Sequence, residues 1–118
     1  MATFTKAKLS GSTDGQGVSI VATAATGTVI HTSATGTGDD RHDEIFLWGV
    51  NTATAARVLT LEWGGTAAGN QIRQTLASRD GLQPLAPGLI LQNARVVRGF
   101  ATAANVIVVY GYVNKIRP

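Results

Sequence analysis

The chain has 118 residues, with ten Lys and Arg against seven Asp and Glu, a net charge of +3, and no cysteine. That length fits one domain, which buries roughly two-thirds of its unfolded surface and needs no covalent staple. The absence of cysteine excludes disulfides and thiolate metal sites. Singly scattered cations argue against a nucleic-acid groove, and no apolar run approaches the ~20 residues of a membrane-spanning helix.

Residues 1–17 read as an N-terminal arm, or an edge strand plus loop. Thr3 to Leu9 alternates weakly, and SGSTDGQG from Ser10 to Gly17 is rich in turn formers. Lys6 and Lys8 fall on one face of an extended segment, because side chains alternate with period two. Residues 18–118 read as the main domain. Val18–Thr23 and Thr28–Thr32 suggest two short strands, and SATGTGDDR from Ser33 to Arg41 is a loop. In Asp43–Asn51 the set Phe46, Trp48 and Val50 faces one way and Ile45, Leu47 and Gly49 the other. Two apolar faces predict a central strand covered on both sides, with Trp48 in the core. Arg57–Trp63 alternates more cleanly, with Leu59, Leu61 and Trp63 on one face.

Further along, Gln71–Leu76 reads as a strand, although a short helix fits the same residues. Gly81 to Gly88 contains Pro84 and Pro87, so it reads as a connection or an edge. Leu89–Leu91, Val96–Ala101 and Val106–Ile116 complete the count, with a tight turn at Asn93-Ala94. Asp43–Gly65 and Arg95–Val113 read as two hairpins with tips of Ala, Thr and Asn. About eight short strands with frequent turns predict an all-β, single-domain β-sandwich or jelly roll with an extended N-terminal segment.

The densest polar cluster is Asp39 to Glu44, with His31 one strand earlier. A divalent ion held by His31, Asp39 and His42 is the chemical reading, but the spacing matches neither a calcium loop nor a zinc motif. A solvated loop entering a strand is preferred, so no metal is expected. Ser33, His31 and Asp39 form a nucleophile set only on paper, without a Gly-x-Ser-x-Gly elbow. Glu62 and Asp80 as paired carboxylates compete with ordinary surface ion pairs. No catalytic residue, no cofactor and no enzyme activity is expected. Trp63, before Gly64-Gly65, and Trp48 are read as core before stacking platform. Tyr110 and Tyr112 share a face that either lines a subunit interface or caps the core.

GTVIHT, the Asp43–Gly65 segment, APGLIL and ANVIVVYGYVN, with Val50-Asn51-Thr52, Trp63-Gly64-Gly65, Pro87-Gly88-Leu89 and Gly111-Tyr112-Val113 as marks, resemble small accessory virion proteins of tailed bacteriophages. These are capsid decoration, or cement, proteins. The likeness covers residues 27–117 and leaves 1–26 outside. It brings no functional residue with it. It implies a virion structural protein made in the bacterial host cytoplasm and seated on the outer capsid surface. Its partners would be the major capsid protein and itself, as a homotrimer in preference to a homodimer, with no nucleic acid and no membrane. Phe4, Lys6, Lys8, Leu9, Arg57, Tyr110 and Tyr112 are the expected capsid or subunit contacts. The alternative is a tail, fibre or baseplate accessory protein, with carbohydrate-binding loops.

Overall fold

Nine strands form two antiparallel sheets in the computed structural model, which describes residues 3–118. The first two residues of the expected N-terminal segment lie outside the described residues. In chain order the strands are β1 Thr3–Lys8, β2 Val18–Ser19, β3 Thr28–Thr32, β4 His42–Asn51 and β5 Arg57–Trp63. They continue with β6 Gln71–Leu76, β7 Gln83–Leu91, β8 Val96–Ala101 and β9 Ile107–Arg117. One sheet runs β1-β9-β4-β7, with β2 also on β9; the other runs β3-β8-β5-β6. Together they make the expected single-domain β-sandwich.

The pairing has a simple logic. β5 and β6 pair across the 64–70 loop, which holds a 3-10 turn at Ala68–Asn70, and β4·β7, β3·β8 and β2·β9 nest around them. This is the pattern of one long hairpin. Additional pairing of β4 with β9 and of β5 with β8 rolls that ribbon into two layers. The result is the winding of a jelly roll.

The two expected hairpins are not hairpins. β4 and β5 belong to different sheets, and so do β8 and β9. Each Ala/Thr/Asn tip is therefore a crossover from one layer to the other. The tips need their small polar residues to bind each other at one end of the sandwich. Thr52 donates through both its backbone N–H and its Oγ1 to the Val106 carbonyl, each at 2.8 Å. Thr102 mirrors it, donating its N–H to the Val58 carbonyl and accepting the Val58 N–H at Oγ1. Buried Asn51 holds the first tip from inside. Its amide donates to the carbonyls of Ala55 and Leu76, and its oxygen accepts the Ala53 N–H.

Between the sheets lie Leu9, Ile20, Ile30, Ile45, Leu47, Leu59, Leu61, Val97, Ile107, Val109 and Val113, all buried. Each such side chain contributes about 1.5–3 kcal/mol by leaving water. Leu9 is 1% exposed, which removes it from the expected contact residues and makes it a core residue. Trp48 is corrected in the other sense. It is half-buried on the outer face of β4, opposite the face that carries Ile45 and Leu47 into the core. Pro84 and Pro87 sit within β7 rather than in a connection, at the sheet edge. An edge strand tolerates proline because one side of its backbone needs no ladder partner. Two register shifts along β4·β7 accompany them, with Gly88 at φ +96°. Asn93 and Ala94 form the expected turn with φ of 64° and 55°.

Candidate functional site

Strand register places side chains in rows across the outer face of the five-stranded sheet. One row runs Lys8, Tyr112, Phe46, Pro87 over β1, β9, β4 and β7. The next runs Tyr110, Trp48, Pro84. On the other side of the first row come Lys6, Asn114, Glu44 and Ile90. Phe4 and Ile116 lie beyond them.

The aromatic rows are packed, not merely adjacent. Phe46 and Tyr112 stack at 4.8 Å between ring centroids with planes 17° apart, and Trp48 meets Tyr112 at 6.1 Å and 26°. The Lys6 ammonium sits 4.3 Å above the Tyr112 ring, where the face of the π system attracts a cation. Asn114 donates to Glu44 Oε1 at 3.0 Å, which engages the acidic group of this face. Tyr110, Ile90 and Phe4 are exposed, Phe4 by 75%. An apolar surface with a cationic margin and rigid rings suits contact with another protein surface, since tyrosine and tryptophan bury large area at small entropic cost.

Of the expected contact residues, Phe4, Lys6, Lys8, Tyr110 and Tyr112 all belong to this one face. Arg57 does not. It begins β5 in the other sheet, half-buried, with its Nε enclosed and unpartnered. Phe46 and Trp48 are the members that sequence reasoning missed. Their shared face was legible from alternation, but apolarity was read as burial.

The polar cluster keeps the expected solvated loop entering a strand at Asp39 to Arg41 and departs from it at Asp43. Asp43 points inward and is 1% exposed, Glu44 and His42 lie on the outer side, and Asp39 and Asp40 remain on the exposed loop. His31 therefore pairs with Asp43, not Asp39. Its Nε2 lies 2.6 Å from Asp43 Oδ2, while its Nδ1 accepts the Ser10 N–H at 2.9 Å. That assignment makes Nε2 the protonated nitrogen, donating to the carboxylate. Arg117 donates to Asp43 Oδ1 at 2.8 Å. His31 is in the four-stranded sheet and Asp43 and Arg117 in the five-stranded one, so the network ties the layers together. Ser33 donates to the Arg95 carbonyl and is not aligned with His31 as a nucleophile.

Among the described residues no group of three metal-binding side chains occurs. On the loop, Arg41 donates to Asp40 at 3.1 Å and holds that carboxyl below the usual carboxylate range. Glu62 and Asp80 lie toward opposite ends of the β5·β6 pair. Glu62 faces Gln71 at one end, and Asp80 follows Leu76 at the other. Comparison with protein-family models, with curated proteins and with solved structures found no match.

Proposed function

We propose that this protein is a virion structural protein that decorates the outside of a tailed-phage head, with the outer face of the five-stranded sheet as its contact surface. The observation that carries the reading is the gathering of Phe4, Lys6, Lys8, Tyr110 and Tyr112 beside the stacked Phe46 and Trp48 on that face. The resemblance in residues 27–117 supplies the phage assignment. The jelly-roll winding agrees with it by fold-level analogy, since capsid domains use this architecture and lectins do too.

Bridging is the mechanism. A domain that binds assembled shell and not dispersed subunits stabilises the shell by mass action. Repetition over many equivalent sites multiplies weak contacts into firm attachment. The aromatic rows supply desolvated area, and Lys6 and Lys8 steer the protein toward an acidic surface. A homotrimer on a local symmetry axis is the preferred assembly.

The test is co-sedimentation of purified protein with isolated empty heads and, separately, with isolated tails of the phage that encodes it. Saturable binding to heads, reduced by Lys8→Glu and by raised salt, is the expected result. Binding to tails alone would replace this proposal with the tail or fibre alternative.

A further inference from the structure

The outer face of the four-stranded sheet carries a feature that the aromatic face does not need. Beside the β5–β6 turn lies an open cleft of about 370 Å³. That is within the roughly 300–1,000 Å³ range of small-molecule sites. Glu62, Arg95, Arg98 and Thr66 line it, together with the backbone of Gly64 and Gly65.

Glu62 is the unusual group. Its side chain projects from β5 on the side away from Leu59 and Leu61, yet it is 0% exposed. Oε1 accepts the Gly27 N–H at 2.6 Å. Gly27 in turn lies so close to the Gly99 carbonyl that a side chain there would collide with it and with Glu62. Holding the Val21–Gly27 loop therefore accounts for one carboxylate oxygen. Oε2 has no hydrogen-bond partner. An enclosed, unpaired acceptor costs about 1–3 kcal/mol and calls for a donor from elsewhere. Arg98 is the direct cross-strand neighbour of Glu62, but the two side chains form no ion pair among the described residues. A buried carboxylate missing a donor thus stands beside two guanidiniums that are free of carboxylates.

We propose that this cleft binds a small carboxylic acid that also carries a hydroxyl or ammonium donor, of the size of one sugar-acid residue. The donor satisfies Glu62 Oε2, and the ligand carboxylate takes the paired N–H groups of Arg98 or Arg95, for which guanidinium geometry is suited. Other classes fit less of the site. Inorganic phosphate matches the arginines but brings more charged acceptor oxygens than P–OH donors to the side of Glu62. A simple cation meets two positive side chains. A neutral sugar satisfies Glu62 and leaves the guanidiniums unused.

The experiment is a titration of the whole protein, followed by backbone amide NMR shifts, with D-glucuronate, L-serine, D-glucose and inorganic phosphate as separate probes. Glucuronate is expected to give saturable shifts at Gly27, Gly64 and Gly65, with phosphate binding roughly tenfold or more weakly and glucose giving none. Serine in place of glucuronate supports the same chemistry and identifies an amino acid as the source. Glu62→Gln and Arg98→Ala are each expected to weaken binding roughly tenfold or more, the scale of one hydrogen bond to a charged group. Should Glu62→Gln fail to fold, the surface variants Arg95→Ala and Arg98→Lys carry the test alone. Equal binding of phosphate and glucuronate would reduce the cleft to a general anion patch and overturn the proposal. So would the absence of saturable shifts with either carboxylate probe, or unchanged affinity in the arginine variants.

Discussion

On the five-stranded sheet, β4 and β9 send Phe46, Trp48, Tyr110 and Tyr112 outward; on the four-stranded sheet, β5 and β8 send Thr60, Glu62, Arg98 and Phe100 outward. The first set is half-buried or exposed although it is aromatic. In the second, Thr60 and Glu62 are buried although they are polar. Residue type alone would assign both the other way. The difference comes from what the rest of the chain does. The loop ending at Gly27 folds onto the four-stranded sheet and uses Glu62 as its acceptor. The aromatic rows have each other, the Lys6 side chain and the close backbone of Gly17 beside Tyr110 and of Gly88 beside Phe46, and no loop folded across them as a whole among the described residues. Burial is thus a property of cover and not of polarity, and the uncovered apolar face is where association is sought.

The largest effect is expected from breaking what both faces share. Asp43→Ala leaves the His31 Nε2–H without its acceptor inside the sandwich and takes the carboxylate from Arg117; each hydrogen bond to a charged group is worth about 1.5–3 kcal/mol, less at the partly exposed Arg117. Urea unfolding followed by tryptophan fluorescence measures it, and a loss below 1 kcal/mol would show that the network does not tie the layers. Next comes Gly27→Ala, which sets a methyl group against the Gly99 carbonyl and the Glu62 side chain. Overpacking of this kind costs about 1–3 kcal/mol. Its amide shift changes should stay on the four-stranded side; disturbance of Tyr112 or Trp48 would mean that the faces are coupled.

Tyr110→Ala sharpens the comparison from the opposite side. Tyr110 is 40% exposed but pairs with Trp48 and lies against the Gly17 backbone, so stability should fall by about 1 kcal/mol. Head binding should fall by roughly tenfold or more, as for a tyrosine central to an interface. Unchanged co-sedimentation would remove the aromatic face from the contact. The smallest effect belongs to Asp40→Asn. The folded carboxyl titrates below its unfolded value because Arg41 donates to it. Any stabilisation is therefore present above the unfolded value and lost as pH falls through the folded one. Because Asp40 lies open to water, the variant's thermal midpoint should track the parent's from neutral to acid pH.

Much of the strand content was legible from alternation and turn residues. Thr28–Thr32, Arg57–Trp63, Gln71–Leu76 and Val96–Ala101 appear with their anticipated bounds. Pairing was not legible, because two strands joined by a short polar tip look the same whether they pair or part into different layers. Nothing local in Thr52–Ala56 announces that Thr52 bonds Val106. The candidate face was half legible. Period two put Phe46 with Trp48, and Lys6 with Lys8, but only the β1·β9·β4 register lays those pairs side by side. Glu62 stood out in the sequence only as a possible partner of Asp80; its buried setting was not legible, since its neighbours Gly27 and Arg98 stand 35 and 36 positions away in the chain.

β9 separates β4 from β1 and β2 within their sheet. A chain growing on the ribosome from its N-terminus therefore makes the two flanks of this sheet long before their shared centre. Until Ile107–Arg117 has emerged, β1 and β2 have no ladder partner and β4 has only β7. During synthesis the nascent protein displays open strand edges and an apolar β4 at the same time, a state prone to pairing with other chains. Delivery of that one strand gives β1, β2 and β4 their shared partner together, so the two halves of the aromatic face are joined in a single step.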